Sequence, residues 1–247
     1  SRSCLCVQAN ARTGVARVFE TRSGETGMDF QLVARIAPFI AEAALVTVEL
    51  TILSLALGLV VAVIVAAGRF SRTLPIRWLA TAYVSIMRGT PLLVQLFIVY
   101  FGGPQFGLEL TPFFAGALTM GFNIGAYMSE GIKGAILAID KGQTEASRSL
   151  GFDRLDTLRL FVLPQAAPLM IRSLGVNTVI LSKSTALVST IGVVELTYSA
   201  QRFVTSTYKP FEVFAEAGAA YIAIVAVISL IVRGVENRFS FSKESRI

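Results

Sequence analysis

The chain has no histidine among its 247 residues. The side chain best suited to acid–base work near neutral pH, and the commonest metal ligand, is therefore missing. Charge is scarce too. Asp, Glu, Lys and Arg make up 15% of the chain, against about 25% in ordinary soluble domains. The pattern G-x-x-x-x-G-K-[ST] does not occur, and neither does any Gly-Lys dipeptide. The chain thus has no P-loop of its own with which to hold ATP. Cysteine is confined to Cys4 and Cys6. Such a C-x-C pair either sits in a passive tail or binds a metal or carries a lipid. Residues 1–27 lack an apolar core, which excludes a secretory signal. They are rich in Arg, Ser and Thr, and Met28-Asp29-Phe30 resembles a natural start. The expectation is a disordered extension or translated upstream sequence; Glu20 and Glu25 count against an organelle transit peptide.

What is present is mostly apolar. Hydrophobic residues make up 54% of the chain, and the mean hydropathy is +0.67. Once spans of about 20 residues are subtracted, too little remains for a soluble catalytic domain. The prediction is an all-α integral membrane domain over 28–247. About five spans are expected, at 43–67, 78–101, 113–139, 165–191 and 213–232. The second is unusual, because Arg88-Gly89-Thr90-Pro91 falls inside it. The part from Pro91 onward is about 17 Å of helix, too short to cross a bilayer. Either the helix kinks at Pro91, or a surface helix ends there and a new one starts with Thr90 as N-cap and Pro91 at N1.

Orientation follows from Lys and Arg in the short loops. The first connection carries Arg69, Arg72 and Arg77, and 102–112 carries none. The third carries Lys141, Arg148, Arg154 and Arg159. The fourth has only Arg202 and Lys209, beside Glu195 and Glu212, while the C-terminal segment has Arg233, Arg238, Lys243 and Arg246. This alternation predicts an external N-terminus and a cytoplasmic C-terminus. Much of the +6 net charge is this signal, so it gives no reason to invoke nucleic acid.

The basic loop at 140–164 is predicted to fold as a helix-turn-helix. Thr144 is the expected cap of its first helix, with Glu145 at the positive end. Leu150-Gly151 ends that helix, since glycine tolerates the left-handed conformation. Asp153 caps a second helix, with Leu155, Leu158 and Val162 on one face. Pro164 stops it. An ordered amphipathic hairpin between two spans is either an interfacial element lying on lipid or a docking knob for a soluble partner.

The spacing of this loop resembles the EAA loop of ABC importer permeases. The matching residues are Glu145-Ala146-Ser147, Gly151 six positions after the Glu, and Phe161-Val162-Leu163-Pro164. Ser147 stands where the family has a second Ala, and Phe161 where it has Ile. Further blocks are similar to the permease subunits of polar amino acid importers: 88–95, 127–130, 142–146, 183–189 and 191–196. At Thr185-Ala186 the chain departs from the family's more usual Thr-Ser-like pattern. The resemblance implies a non-hydrolysing subunit of the cell inner membrane. It implies a second permease, identical or paralogous, two cytoplasmic ATPases that bind ATP and Mg, and an extracytoplasmic solute-binding protein. Glu145, Ala146, Ser147, Leu150, Gly151, Leu155, Leu163 and Pro164 are the expected coupling residues.

Polar residues within the spans are candidates for the translocation path. Glu49, Arg88, Asn177, Lys183, Ser184 and Thr185, with Thr90 and Pro91 at the break in the second span, are the residues expected at the path or its gate. A charge such as Lys183 within a span needs water or a partner. It either lines a wet cavity or pairs with an acid such as Glu49. Asn177 either faces the path or bonds between helices. Glu130 and Lys133 are expected to pair at i,i+3. The competing reading is a self-sufficient secondary transporter or channel, which would need no ATPase and usually shows an internal repeat.

Overall fold

In the computed structural model, the described residues are 29–239 and a small antiparallel pair, β1 (Val7–Gln8) with β2 (Arg17–Val18). The expected disorder of 1–27 otherwise falls outside the described residues, as do Cys4 and Cys6. The helices in chain order are α1 (Phe30–Arg69), α2 (Leu74–Gly89), α3 (Leu92–Phe97) and α4 (Pro112–Leu137). Then come α5 (Lys141–Ser149), α6 (Arg154–Asp156), α7 (Leu163–Ser184), α8 (Leu196–Thr207) and α9 (Pro210–Phe239).

The first helix begins well before the expected span at 43–67. Asp29 caps it by accepting a hydrogen bond from the Leu32 amide at 3.0 Å. Its 40 residues make a rod roughly 60 Å long, twice the hydrocarbon thickness of a bilayer. The second expected span is broken. Helix α2 stops at Gly89, and the chain turns by 103° before continuing from Leu92. Thr90 therefore caps the C-terminus of α2, and Pro91 holds the N-cap position of α3. The Thr90 hydroxyl bonds back to the Ile86 carbonyl at 2.8 Å, so it serves the helix behind it. Only Val84 of α2 is buried, while Ile76, Trp78, Leu79 and Ile86 are exposed. One helix therefore ends at the 90–91 junction and a new one starts beyond it, as the second alternative had it, and α2 is apolar and exposed along most of its length.

Among the described residues, three helical runs are long and apolar enough to cross a membrane: Phe30–Arg69, Arg154–Ile191 and Pro210–Phe239. The bent pair of α2 and α3 makes a fourth if counted as one span. Helix α4 occupies the remaining expected position, but composition alone does not mark it as a span. Its glycines, Asn123 and Ser129 lower its hydropathy because it faces protein; half of its 26 residues are buried.

The core forms where α4 meets α1. Leu50, Met120, Ile124, Met128, Leu181 and Val188 pack there. A second cluster joins the early part of α1 to α8 and α9 through Ile36, Ile40, Leu196 and Val213. The α1–α4 seam is set by glycines. A Cβ on Gly125 would lie 2.8 Å from Val61 Cγ1 and 3.0 Å from the Gly58 carbonyl oxygen. Small residues of this kind let membrane helices approach to backbone contact, where dispersion and packing drive association. Gly125→Leu is expected to destabilise the domain by about 1–3 kcal/mol or more. A lower unfolding temperature of the detergent-purified protein, relative to Gly134→Leu, checks this. Gly134 has open space around it.

Candidate functional site: the interhelical hairpin and the buried polar cluster

The segment 140–164 does fold as a helical hairpin, with two changes from the sequence expectation. Asp140 caps α5, not Thr144: its carboxylate accepts from the Gly142 amide at 2.6 Å. Asp is a strong N-cap, and placing it here extends the helix backward. Glu145 consequently sits mid-helix and not at the positive end. The closing turn is as expected. The Gly151 amide bonds to the Arg148 carbonyl and the Phe152 amide to the Ser147 carbonyl, with Gly151 at φ 88°. That pair of bonds is the Schellman arrangement. Asp153 then caps α6 by accepting from the Asp156 amide at 2.8 Å.

Pro164 does not stop the second helix. The helix runs unbroken from Arg154 to Ile191. A π-helical stretch, Thr157–Val162, lies just before the proline, with the Leu163 amide bonded to the Leu158 carbonyl. The wider π turn accommodates a residue that cannot donate an i→i−4 bond.

Two contacts lock the hairpin. The Ser147 hydroxyl lies 3.0 Å from the Thr144 carbonyl and 3.1 Å from the Thr157 hydroxyl, and Ser147 is only 2% exposed. Phe152 and Phe161 meet edge to face at 5.0 Å. Ser147 is thus an internal strut and not part of a docking face. The outer surface carries Glu145, Ala146, Gly151 and Pro164 together with Leu150 and Leu155, which are 75% and 70% exposed. Leu163 is half-buried. Two large leucines held in solvent on a rigid knob are a surface that gains by being covered.

The residues named for a path do not converge. Glu49 and Lys183 are both exposed, and among the described residues no ion pair joins them. The Asn177 amide bonds to the Ser173 carbonyl of its own helix at 2.9 Å, so it is not bonded between helices. The Ser184 hydroxyl likewise returns to the Ile180 carbonyl. Thr185 is fully buried and bonds to the Ser182 carbonyl. The expected Glu130–Lys133 pair does not form. Glu130 instead binds Arg69, with Arg88 at 3.7 Å, and the Arg88 guanidinium lies over the Tyr127 ring. The end of α1, the end of α2 and α4 are thereby tied together. Spacing within one helix could not reveal a partner supplied by another.

The most deeply buried charge-bearing side chain figured in the sequence analysis only as a loop charge and within a matching block, not as a site residue. Glu195, fully buried, caps α8. One carboxylate oxygen accepts from the Tyr198 amide at 2.8 Å, and the other from the Tyr221 hydroxyl at 2.9 Å. The Tyr221 hydroxyl also lies 3.0 Å from that of Thr197. The Leu196 amide donates to the Thr47 hydroxyl of α1. Burial pushes the Glu195 carboxyl up from its ordinary value, against these hydrogen bonds. Near the N-terminal part of α1, a cavity of about 620 Å³ is lined by both Glu42 and Arg202.

A broken second helix, a central small-residue helix and a capped hairpin feeding a long polar helix define a transport permease scaffold. Residues 54–241 match the family described as the inner membrane component of binding-protein-dependent transport systems, and the chain belongs to that family. It is 39% identical to the nopaline transport system permease protein NocM of Agrobacterium fabrum, covering 83% of this chain and 89% of that protein. It is 35% identical to the glutamine transport system permease protein GlnP of Escherichia coli, covering 85% and 97%. A crystal structure of an amino acid ABC transporter with histidines superposes with a TM-score of 0.81. The identity there is 33%, over 86% of this chain and all of that one.

Proposed function

We propose that the chain is the permease subunit of an ATP-driven importer of polar amino acids. It pairs with a second permease, identical or paralogous, receives substrate from an extracytoplasmic binding protein, and docks two cytoplasmic ATPases. ATP and Mg are bound by those ATPases, and this chain catalyses no reaction. Its N-terminus lies outside and its C-terminus in the cytoplasm. The observation that carries the reading is the hairpin: a rigid, doubly capped knob with exposed Leu150 and Leu155, continuous with a helix that reaches Ile191. A push on such a knob is delivered along the helix and not absorbed by a loop. The glutamine of the Escherichia coli relative's name and the amino acid ABC transporter that superposes on the chain support the substrate class. So does the cavity lined by Glu42 and Arg202, whose opposite charges suit a zwitterion.

Two measurements test this. Cysteines placed at the exposed Ser149 and Gln105 are expected to be labelled only from the cytoplasmic and only from the outer side, respectively. Uptake of a radiolabelled polar amino acid into vesicles should require ATP and a copurifying ATPase. Uptake driven by an ion gradient alone would overturn the reading in favour of a secondary transporter.

A further inference from the structure

Between the hairpin and the neighbouring parts of α1, α4 and α7 lies a cavity of about 850 Å³. Its walls are largely apolar, with Val63 from α1 and Phe70 just after it, Ile132 and Ile136 from α4, and Met170 and Leu174 from α7. Lys141, Arg148 and Arg154 also line it, and no acid does. All three cations are exposed. None of them enters an ion pair among the described residues, where the pairs are Arg69 and Arg88 with Glu130, Arg172 with Glu236, and Lys209 with Asp29. The cavity therefore has an apolar wall and a rim of three cations, while the hairpin's acids, Asp140, Glu145, Asp153 and Asp156, lie outside its lining.

Each half of that description excludes a class of occupant. A free anion would satisfy the rim but leave the apolar wall against water, which hydrophobic hydration disfavours. A neutral lipid would cover the wall and leave the cations unanswered. We propose that the cavity binds one anionic phospholipid from the adjoining leaflet. Its acyl chain lies along Ile132, Ile136 and Met170, and its phosphate sits among Lys141, Arg148 and Arg154. Basic pockets between membrane helices on the cytoplasmic side recognise acidic headgroups in this way. The inference goes beyond the transport reading. It needs the hairpin to lie at a membrane surface, and it is independent of the substrate carried. The consequence is a lipid wedged between the docking knob and the helices it drives.

The test uses the intact transporter, purified with its partners in neutral detergent. It is titrated with phosphatidylglycerol or with phosphatidylcholine of the same acyl chains, and bound lipid is counted by native mass spectrometry. One phosphatidylglycerol per permease is expected, held at least tenfold more tightly than phosphatidylcholine. Each cation replaced by glutamine, in Lys141→Gln, Arg148→Gln and Arg154→Gln, should weaken it about five-fold. Val63→Trp, at an exposed wall position, keeps the cations and should exclude the lipid by occupying the cavity. Excess glycerol phosphate should not displace it. Unchanged lipid preference in the glutamine variants, or retention in Val63→Trp, would overturn the proposal. So would phosphatidylglycerol that binds the isolated permease but leaves when the ATPase joins, because the cavity would then be part of the ATPase footprint.

Discussion

Gly151→Val is expected to abolish transport while leaving the protein inserted and the binding protein's own affinity unchanged. Gly151 ends α5 at φ 88°, in the left-handed region. A residue with a Cβ pays roughly 1–2 kcal/mol there, and a β-branched residue more. No atom lies within 4 Å of where that Cβ would stand, so the effect is conformational and not a clash. The hairpin can relieve the strain only by giving up the bonds from the Gly151 and Phe152 amides to the Arg148 and Ser147 carbonyls. Relief of that kind re-aims α6 relative to α5 and displaces Leu150 from Leu155. The readouts are copurification of the ATPase and substrate-stimulated ATP hydrolysis, both expected to fall to near background. Gly151→Asn, which tolerates the same conformation better, should restore much of both. Glu145→Lys should give a milder defect by reversing charge on the exposed face, since mid-helix placement leaves little interaction with the helix dipole. Normal assembly and transport in both Gly151→Val and Glu145→Lys would remove the hairpin from any coupling role.

Glu195→Ala is the second large effect. It strands the Tyr198 amide and removes one of the partners of the Tyr221 hydroxyl. The lost cap and the stranded Tyr198 amide are one effect, worth about 1–3 kcal/mol. The junction of α8 with α1 and α9 should loosen, read as a lower unfolding temperature and faster amide exchange across 196–207. Glu195→Gln keeps the shape and an acceptor for the Tyr198 amide. Because burial already raises the Glu195 carboxyl, replacing it by a neutral amide should cost far less than alanine. Equal destabilisation by Ala and Gln would show that the charge, and not the cap, holds the junction.

The legible parts of this sequence were those written in local chemistry. The apolar runs predicted a helical membrane domain. Gly151 and Asp153 marked a helix end and a helix start that the structure retains. The 90–91 break was legible because proline and threonine at that junction restrict the backbone, although their capping roles came out shifted by one position. Local signals also competed. Thr144 and Asp140 are both good caps, and the earlier one won. Pro164 is a helix breaker that a π turn absorbed. Partnerships across helices could not be read at all. Glu130 met Arg69 and Arg88 rather than Lys133. Glu195 became buried because Tyr221 and α8 enclosed it. Glu49 and Lys183 form no ion pair with each other among the described residues. Each of these outcomes depends on how helices cross, which no single-helix pattern encodes.

The glycine seam bears on how such a domain can change shape. At Gly121 and Gly125, α4 rests directly on Leu57 and Val61 of α1, with no room for even one added carbon. Two rods meshed that closely behave as one beam. Rotating or sliding one past the other would drive backbone into side chain, so alternation between states cannot be hinged there. The deformation is left to joints where the chain already departs from regular α-helix, among them the 103° corner after Gly89, the π-helical stretch Thr157–Val162 and the 3-10 turn Thr185–Ile191, which Gly192 closes at φ 89°. The permease is then a stiff keel with two articulated arms, and the hairpin lies at the root of one of them.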